Sequence, residues 1–596
     1  MKFKKSMRVL SLAMSFFMLL TACGQTAQNG DSTDESPQTS DAAESDQQTS
    51  ESVEETEYPE YLNLESAYPV IKDEYEGTIK LKVAFVVDPT ARDWDELWVS
   101  RYLKDKYNIE LEVEYITNTT LQEKKSLMLN SGDLPDMMWN MNFTTDELVK
   151  YGQEQGLFLK CDEYMNETLT PSIMHYWTDE VKRASTAPDG HVYSLPKLTD
   201  SAEVDPGLVQ RLFINKAWLD ELNLEMPRTL DEYVDALYAI KEADPAGVGS
   251  ENLYPMGGGM ETTSVTWYLL NALGYITPNY NNGAYGLAPC IRDGEVVIPV
   301  YDMEVYQEFL KLLNQFYNDG IINSNFFTIE GTEINAQMNA GQTAVYGDAP
   351  YISGITTWDE WDACYPLTSE WQSEPEILNS ATVSVGGFVI SANTEYPELC
   401  MRFADVFFNN QTDISAAFWG GTGEGTEYDS DEFIQGEWLE DKQDYTIDTE
   451  KLPEGYSTYS YLIEYMHGNM LNFGTYNLRE AKVKKANDNG ADMPAEKVYD
   501  MTNPDAFYRV CVRDNIVPYV TDGYPSIYYT DAETAQKIID LETVIQPYVK
   551  EQVAMFITGA RPLSETADFV EEMKGMGMEE LVDIYKNIYD NMYIVQ

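Results

Sequence analysis

The chain carries 101 Asp and Glu residues against 39 Lys and Arg, so carboxylate chemistry is the first to weigh. Secreted glycosidases combine an aromatic cleft with two carboxyl groups about 5 to 10 Å apart. With so many acids some pair always looks suggestive, and no spacing here singles out an acid and a nucleophile. Histidine chemistry is poorer still: His175, His191 and His467 are scattered, which argues against a metal centre or a His-based catalytic relay. The six cysteines, Cys23, Cys161, Cys290, Cys364, Cys400 and Cys511, contain no CxxC pair and imply neither a zinc cluster nor a disulfide framework. The loop FWGGTGEGTEY holds Gly421, Gly423 and Gly425, but its spacing is not GxGxxG. No GK[ST] occurs, and acids stand where a phosphate would want Lys. No catalytic residue, metal ligand or cofactor is therefore assigned, and a hydrolase stays open beside a binding role.

A binding pair must be held by a frame, and the stretch LNSGDLPDMMWN, residues 129–140, shows one end of it. Gly132 suits a left-handed helix cap and Pro135 cannot continue a helix, so Met137 and Met138 read as a short buried strand ending on Trp139 and Asn140. Upstream, IKLKVAFVV (79–87) begins by alternating and finishes fully apolar, as a central strand does. Residues 93–106 read as helix, IELEVEYI (109–116) as strand and 121–131 as helix. That order stacks three parallel strands through right-handed crossovers, with helices on both faces. Ligands bind such open sheets beyond the carboxyl ends of the strands. The loop after Val87 and the pair Trp139–Asn140 fall there, and Trp94 lies just past the first loop. Both tryptophans are expected to border one cleft; the competing reading makes both partly buried packing residues. Further on, Thr144 with Glu147 and Thr229 with Glu232 form capping boxes, and Tyr233, Ala236, Leu237 and Ile240 share one helical face.

Before this frame stands a leader. Lys2, Lys4, Lys5 and Arg8 precede a 12-residue apolar run, Val9 to Leu20, too short to span a bilayer as a lasting helix. From Gly24 to about Tyr58 the chain is Ser, Thr, Gln, Asp and Glu with almost nothing to bury, so it is expected to be a disordered acidic linker. Without the four basic residues of the leader and the 12 acids of residues 24–71, 35 basic residues still face 89 acidic ones, a net charge of -54. That argues against nucleic acid, anionic lipid surfaces and most polyanionic ligands as partners. The remaining length is ample for two or more cores.

Two resemblances now become specific. Leu20-Thr21-Ala22-Cys23 resembles the lipobox of bacterial lipoproteins, in which the cysteine sulfur receives a diacylglycerol; the alternative is an ordinary signal peptide with a chance cysteine. Five cysteines then remain, an odd number that leaves at least one free. In order along the chain, SGDLPD, DGHVYSLP, FINKAWLDELNLEMPRTLDEY and SVGGFVISANTEYPELCMRFADVFFN look like the landmarks of the bacterial family 1 extracellular solute-binding proteins. The closing run VKEQVAMFITGARPLSETADFVEEMKGMGMEELVDIYKNIYD is similar to the end of that family's large lipoprotein branch. The resemblance spans roughly residues 78–592.

What it implies is an α/β protein of the type II periplasmic-binding-protein fold, two doubly wound lobes joined by a hinge and closing on a ligand. The expected layout is a signal peptide at 1–23, the linker at 24–60, lobe 1 at 61–205 and 384–435, lobe 2 at 206–383 and 436–535, and C-terminal helices at 536–596 packed on the lobes. The first crossing is placed near Tyr193 to Leu212 and the return near Val383 to Ile390. The implied role is capture of an oligosaccharide, expected to be neutral, for an ABC permease, by a monomer tethered outside the cell membrane through two or more acyl chains. A glycoside hydrolase and a sugar receptor for sensing or adhesion stay open beside it. Because a sugar ring has an apolar C–H face and a rim of hydroxyls, its site wants aromatic rings with amides and carboxylates. Besides Trp94, Trp139 and Asn140, the candidates are Tyr193 at the first crossing, Trp267 beyond the glycines at 257–259, Tyr346, Asp348 and Tyr351 in VYGDAPY, and Trp419 in FWGGTGEGTEY. Glu424 and Tyr428 match a GxEGxxY segment of the lipoprotein branch, with Glu427 where a histidine is usual. Some family members carry a calcium loop, DPxGNGxxDE. Here the matching residues run from Asp244 to Leu253, and Ala246, Val248 and Leu253 offer no side-chain oxygen, so no tightly bound calcium is expected.

Overall fold

The computed structural model describes residues 57–594, apart from 89, 118–119, 204, 279–281, 409–435, 440–443, 448–450, 454–455, 457, 469–473, 475–500 and 503. The leader, Cys23 and nearly all of the acidic segment lie outside the described residues.

β1 (Lys80–Val86) alternates exposed and buried residues and then runs fully buried. After a 3-10 turn at Trp94–Glu96 come α1 (Trp98–Tyr107), β2 (Glu110–Ile116), α2 (Leu121–Ser131) and β3 (Met137–Trp139). α2 stops where Gly132 takes a φ of 70° and gives its amide to the Met128 carbonyl, the left-handed cap expected of it. β1 pairs in parallel with β2 on one side and β3 on the other. β4 (Leu195–Leu198) is the last strand before the chain leaves this lobe.

In the second lobe β5 (Phe213–Asn215) is followed by α3 (Leu230–Ala243), whose Thr229 and Glu232 make the reciprocal bonds of the capping box. β6 (Val345–Tyr346) and β7 (Trp361–Ala363) flank β5 on either side, both antiparallel to it. The chain then returns as β8 (Val383–Ile390), which inserts antiparallel between β3 and β4, so the first sheet reads β2-β1-β3-β8-β4. α4 (Pro397–Asp405), α5 (Pro504–Asn515), α6 (Ala532–Thr558) and α7 (Met578–Ile594) complete the helices that matter below.

One face of the first sheet packs Phe85, Trp139, Phe388 and Ile390 against Trp98, Tyr102, Phe403 and Phe407. The other packs Ala84, Val86, Met138 and Val389 against Leu121, Leu129, Phe143 and Leu148. A separate, larger core gathers α3, α6 and α7 around β5. These are two α/β lobes, each with its own sheet. Among the described residues two chain segments pass from one lobe to the other, residues 199–212 and residues 379–382, and residues 522–531 run beside them with both ends in the second lobe. Thr199 gives its amide to Thr382 O (2.9 Å), Ser380 Oγ bonds Leu208 O (2.7 Å) and Asn379 N bonds Thr521 O (2.8 Å), so the three run side by side. Residues 461–466 depart from the expected layout: Tyr461, Leu462 and Met466 lie in the first lobe's core, although residues 436–535 were placed in the second. All five described cysteines are buried and unpaired.

Candidate functional site

Three of the aromatic residues expected on a cleft are packing residues here. Trp139 is 1% exposed, and its ring lies 5.1 to 5.9 Å from those of Phe85, Phe388, Phe403 and Phe407. Its position at a strand's carboxyl end was read correctly, but its side chain points into the sheet's packed face. Trp267 is fully buried and donates Nε1–H to Ser264 O at 2.9 Å. Trp94 is 8% exposed and meets Phe85 edge-on at 6.4 Å.

Asn140 and Tyr193 are also enclosed. Asn140, at a φ of 60°, donates Nδ2–H to Val86 O at 3.0 Å and its backbone amide to Gly387 O at 2.7 Å, so it ties the ends of β1, β3 and β8 together. Tyr193 is buried beside Gly152, where any Cβ would strike its ring, and donates its hydroxyl to Asp189 Oδ2 at 2.6 Å. Trp419, Glu424 and Tyr428 lie outside the described residues.

What does stand at the carboxyl ends of the first sheet is a loop floor. Lys125, buried on α2, bonds Glu147 Oε2 at 2.6 Å and reaches Met141 O at 3.4 Å, while Glu147 also accepts from the Thr144 amide. The loop 140–144 is thereby fixed from beneath, with Asn142 at a φ of 48°. Next to it, Asp88 Oδ1 accepts from both the amide and the hydroxyl of Thr90, and the Arg92 guanidinium stacks 3.7 Å over the Tyr465 ring.

On the second lobe the remaining candidates do come together. Tyr346 ends β6, and its buried hydroxyl donates to Asn335 Oδ1 at 3.0 Å. Two residues on, the Asp348 carboxylate accepts from Arg211 Nη2 and from the Ala349 amide through Oδ1, and its side chain is 37% exposed. No donor among the described residues reaches Oδ2. Tyr351 packs against Tyr508 with ring centroids 5.6 Å apart and donates its hydroxyl to Asp505 Oδ1 at 3.0 Å. Burial, then the Asp505 charge, pushes the Tyr351 phenol well above its ordinary range, so it stays a hydrogen-bond donor.

Two arginines that sequence reasoning missed organise this face. Arg211 Nη1 bonds the carbonyls of Gly207 (2.8 Å) and Val209 (3.2 Å) in the first crossing while Nη2 holds Asp348. Burial works to lower its pKa, but the Asp348 carboxylate outweighs this and the net shift is upward. Arg509 on α5 bonds Asp505 Oδ2 at 2.9 Å and Asp205 Oδ1, and burial lowers its pKa to about 10. A Cβ on Gly207 would fall 2.5 Å from Arg509 Nη1, so a larger residue there would push the guanidinium aside. Tyr508 sits between the two guanidiniums, 5.5 and 5.3 Å from its ring centroid. The signal for Arg211 was present in VQRLFIN, a charged residue directly before a buried strand; Asp505, Tyr508 and Arg509 gave none.

Of the histidines, His191 is engaged at both nitrogens, with Asp162 Oδ2 at 3.0 Å and Lys160 Nζ at 3.1 Å, and neither is left for a substrate. In the loop after α3, Asp244 accepts from the amides of Val248 through Oδ1 (3.0 Å) and Gly249 through Oδ2 (2.8 Å).

With this geometry in view, comparison with known proteins is informative. The model of the bacterial extracellular solute-binding proteins matches residues 88–414. The fructooligosaccharide ABC transporter substrate-binding protein FusA of Streptococcus pneumoniae serotype 4 is 25% identical over 488 residues, 78% of this chain and 82% of FusA. Lipoprotein LipO of Bacillus subtilis is 24% identical over 243 residues, 40% of this chain and 44% of LipO. Among solved structures, FusA in complex with kestose is similar with a TM-score of 0.69 at 21% identity, over 87% of this chain and 100% of that one. An HMO-binding solute-binding protein from Bifidobacterium longum infantis follows with a TM-score of 0.66 at 18% identity, over 86% of this chain and 99% of that one.

Proposed function

Because this chain belongs to the bacterial extracellular solute-binding protein family, we propose that it is a lipid-anchored receptor that captures a neutral oligosaccharide by hinge closure and delivers it to an ABC importer. Relatives named as sugar-binding components of ABC transporters support the carbohydrate class, and they are binding proteins, not enzymes. The observation that carries the reading on this chain is the Asp348 carboxylate, oriented by Arg211 at the end of β6, half-exposed and with one oxygen open to a hydroxyl. Tyr351 beside it brings an aromatic face and a held hydroxyl.

Neutrality is supported by the pairing of the cations. Arg211 and Arg509 are already bound to Asp348, Asp205 and Asp505, so a uronate meeting this face would find no spare cation in them and three carboxylates instead. Calorimetric titration with kestose, other neutral oligosaccharides and an oligogalacturonate tests this. Binding of a neutral sugar, returned uncleaved, is expected; preference for the acidic oligosaccharide, or release of reducing ends, overturns it. The anchor is tested separately: Cys23→Ala should leave the protein out of the detergent phase, and unchanged partitioning would refute acylation at that sulfur.

A further inference from the structure

The second lobe offers a sugar the Asp348 carboxylate, a group that accepts hydrogen bonds and does not donate them. Lobe closure is stabilised only by contacts that both lobes make with the ligand, so the first lobe must supply a complement. The loop after β1 lies at the carboxyl ends of the first sheet, where ligands of open sheets bind, and it carries Arg92.

Arg92 is held from three sides. Its amide donates to Glu464 O at 3.2 Å, its carbonyl accepts from the Tyr115 hydroxyl of β2 at 2.9 Å, and its guanidinium lies 3.7 Å over the Tyr465 ring. Tyr465 in turn stacks on Tyr461, with centroids 4.7 Å apart and planes 10° apart, and Tyr461 is 2% exposed within the first lobe's core. Tyr456 meets Tyr465 edge-on at 5.7 Å. The stack is thus grounded in packed protein and ends on the guanidinium. The winding that carries Tyr465, Leu462–His467, is a π-helix, a form frequent at functional sites.

What this guanidinium lacks is a carboxylate. Arg211, Arg292, Arg402 and Arg509 are each paired with an aspartate. Around Arg92 the acids are turned elsewhere: Glu464 Oε2 accepts from the Tyr456 hydroxyl at 2.7 Å, Asp88 Oδ1 accepts from Thr90, and Asp93 and Asp95 are exposed. Among the described residues no oxygen accepts from the Arg92 guanidinium, and the side chain is half-buried. In a chain with 101 acidic residues against 39 basic ones, an arginine stacked in place yet unpaired is available to a ligand.

We propose that Arg92 is the first lobe's sugar-holding residue, its planar fork donating to two neighbouring hydroxyl oxygens of the oligosaccharide that Asp348 meets from the other lobe; this rests on the reading of the protein as an oligosaccharide receptor. Stacking on Tyr465, the positioning residue, fixes the plane of the fork before the sugar arrives, so little ordering remains to oppose binding. A hydroxyl both donates and accepts, so N–H groups on one lobe and a carboxylate oxygen on the other fit the same ligand. The fork would also suit a carboxylate, but Asp88, Asp93 and Asp95 along the same loop disfavour an anion and leave a hydroxyl unaffected.

Calorimetric titration of variants with kestose, other neutral oligosaccharides and an oligogalacturonate tests this. Arg92→Ala should weaken binding of the neutral sugar at least about tenfold, while melting within about 2 °C of the parent. Arg92→Lys keeps the charge without the fork and should stay at least about threefold weaker than the parent. Tyr465→Leu should weaken binding as well, and Tyr465→Phe, which restores the ring, should regain most of that loss. A parent that binds a neutral sugar and an Arg92→Ala chain that binds it equally well overturn the role of Arg92 and leave the receptor reading standing. A parent that binds no neutral sugar overturns both. Preference for the oligogalacturonate, lost in Arg92→Ala, makes Arg92 a carboxylate clamp and overturns the hydroxyl assignment. If Arg92→Ala melts early, Arg92→Lys decides, and parental affinity in that chain is equally fatal.

Discussion

Trp139→Ala removes an indole that is 1% exposed and touches four phenylalanine rings. A side chain of this size buries roughly 150 to 250 Å², worth about 4 to 6 kcal/mol at ~25 cal/mol per Å². A denatured chain that is already partly collapsed trims that figure. The lost edge-to-face pairs and the cavity left between β3 and α4 act in the other direction, and comparable truncations cost roughly 3 to 5 kcal/mol. We expect a loss of about 4 kcal/mol. If the first lobe melts as a unit of ordinary domain size, each kcal/mol is worth roughly 2 to 4 °C, so its transition should fall by about 10 °C. Scanning calorimetry reads the melting and titration at a temperature below both transitions reads the affinity, which should change less than threefold or so. A variant that melts within about 2 °C of the parent but binds sugar tenfold more weakly would refute the reasoning and put the indole on the ligand.

Asp348→Ala should weaken sugar binding about tenfold or more, since a hydrogen bond to a charged group is worth roughly 1.5 to 3 kcal/mol; an unchanged dissociation constant removes Asp348 from the site. Tyr351→Phe deletes the bond to Asp505 Oδ1 and should shift affinity by a smaller factor, with the ring itself retained. Asp405, enclosed with Arg402 beside the amide of Ile173, has its carboxyl raised by burial from 3.8 to about 6. The folded chain thus holds this proton more tightly than the unfolded one, so its contribution is complete below about pH 4 and is lost as pH rises through 6. Denaturant titrations of the parent and of Asp405→Asn should diverge across that window, and parallel pH profiles would contradict the shift. Both Asp244 oxygens are occupied by loop amides, so a chelator should leave the melting temperature unchanged, and a fall of several degrees would reveal a cation there.

Local signals carried far. Gly132 ends α2, Thr144 and Thr229 cap their helices, and the face of Tyr233, Ala236, Leu237 and Ile240 is buried, because each depends on neighbours within a turn or two. The order β1, β2, β3 was legible for the same reason. Trp139 was misread because a three-residue strand contains too little alternation to tell which side is covered, and what covers it, Phe403 and Phe407, arrives hundreds of residues later. The second-lobe face was half legible: VYGDAPY named Tyr346, Asp348 and Tyr351, but the arginines that hold it come from a crossing and from α5, elements brought together only by the fold.

The place of β8 in the first sheet sets a condition on biogenesis. β3 pairs with β1 early, but its other edge is completed only by residues 388–390, after the whole of the second lobe's first half has emerged. Until then a short, apolar strand presents unpaired amides and carbonyls beside the exposed rings of Phe85 and Trp139, a surface suited to pairing with another chain. The first sheet thus cannot be completed until the chain has been made through residue 390, because its central edge waits for a strand that is distant in sequence.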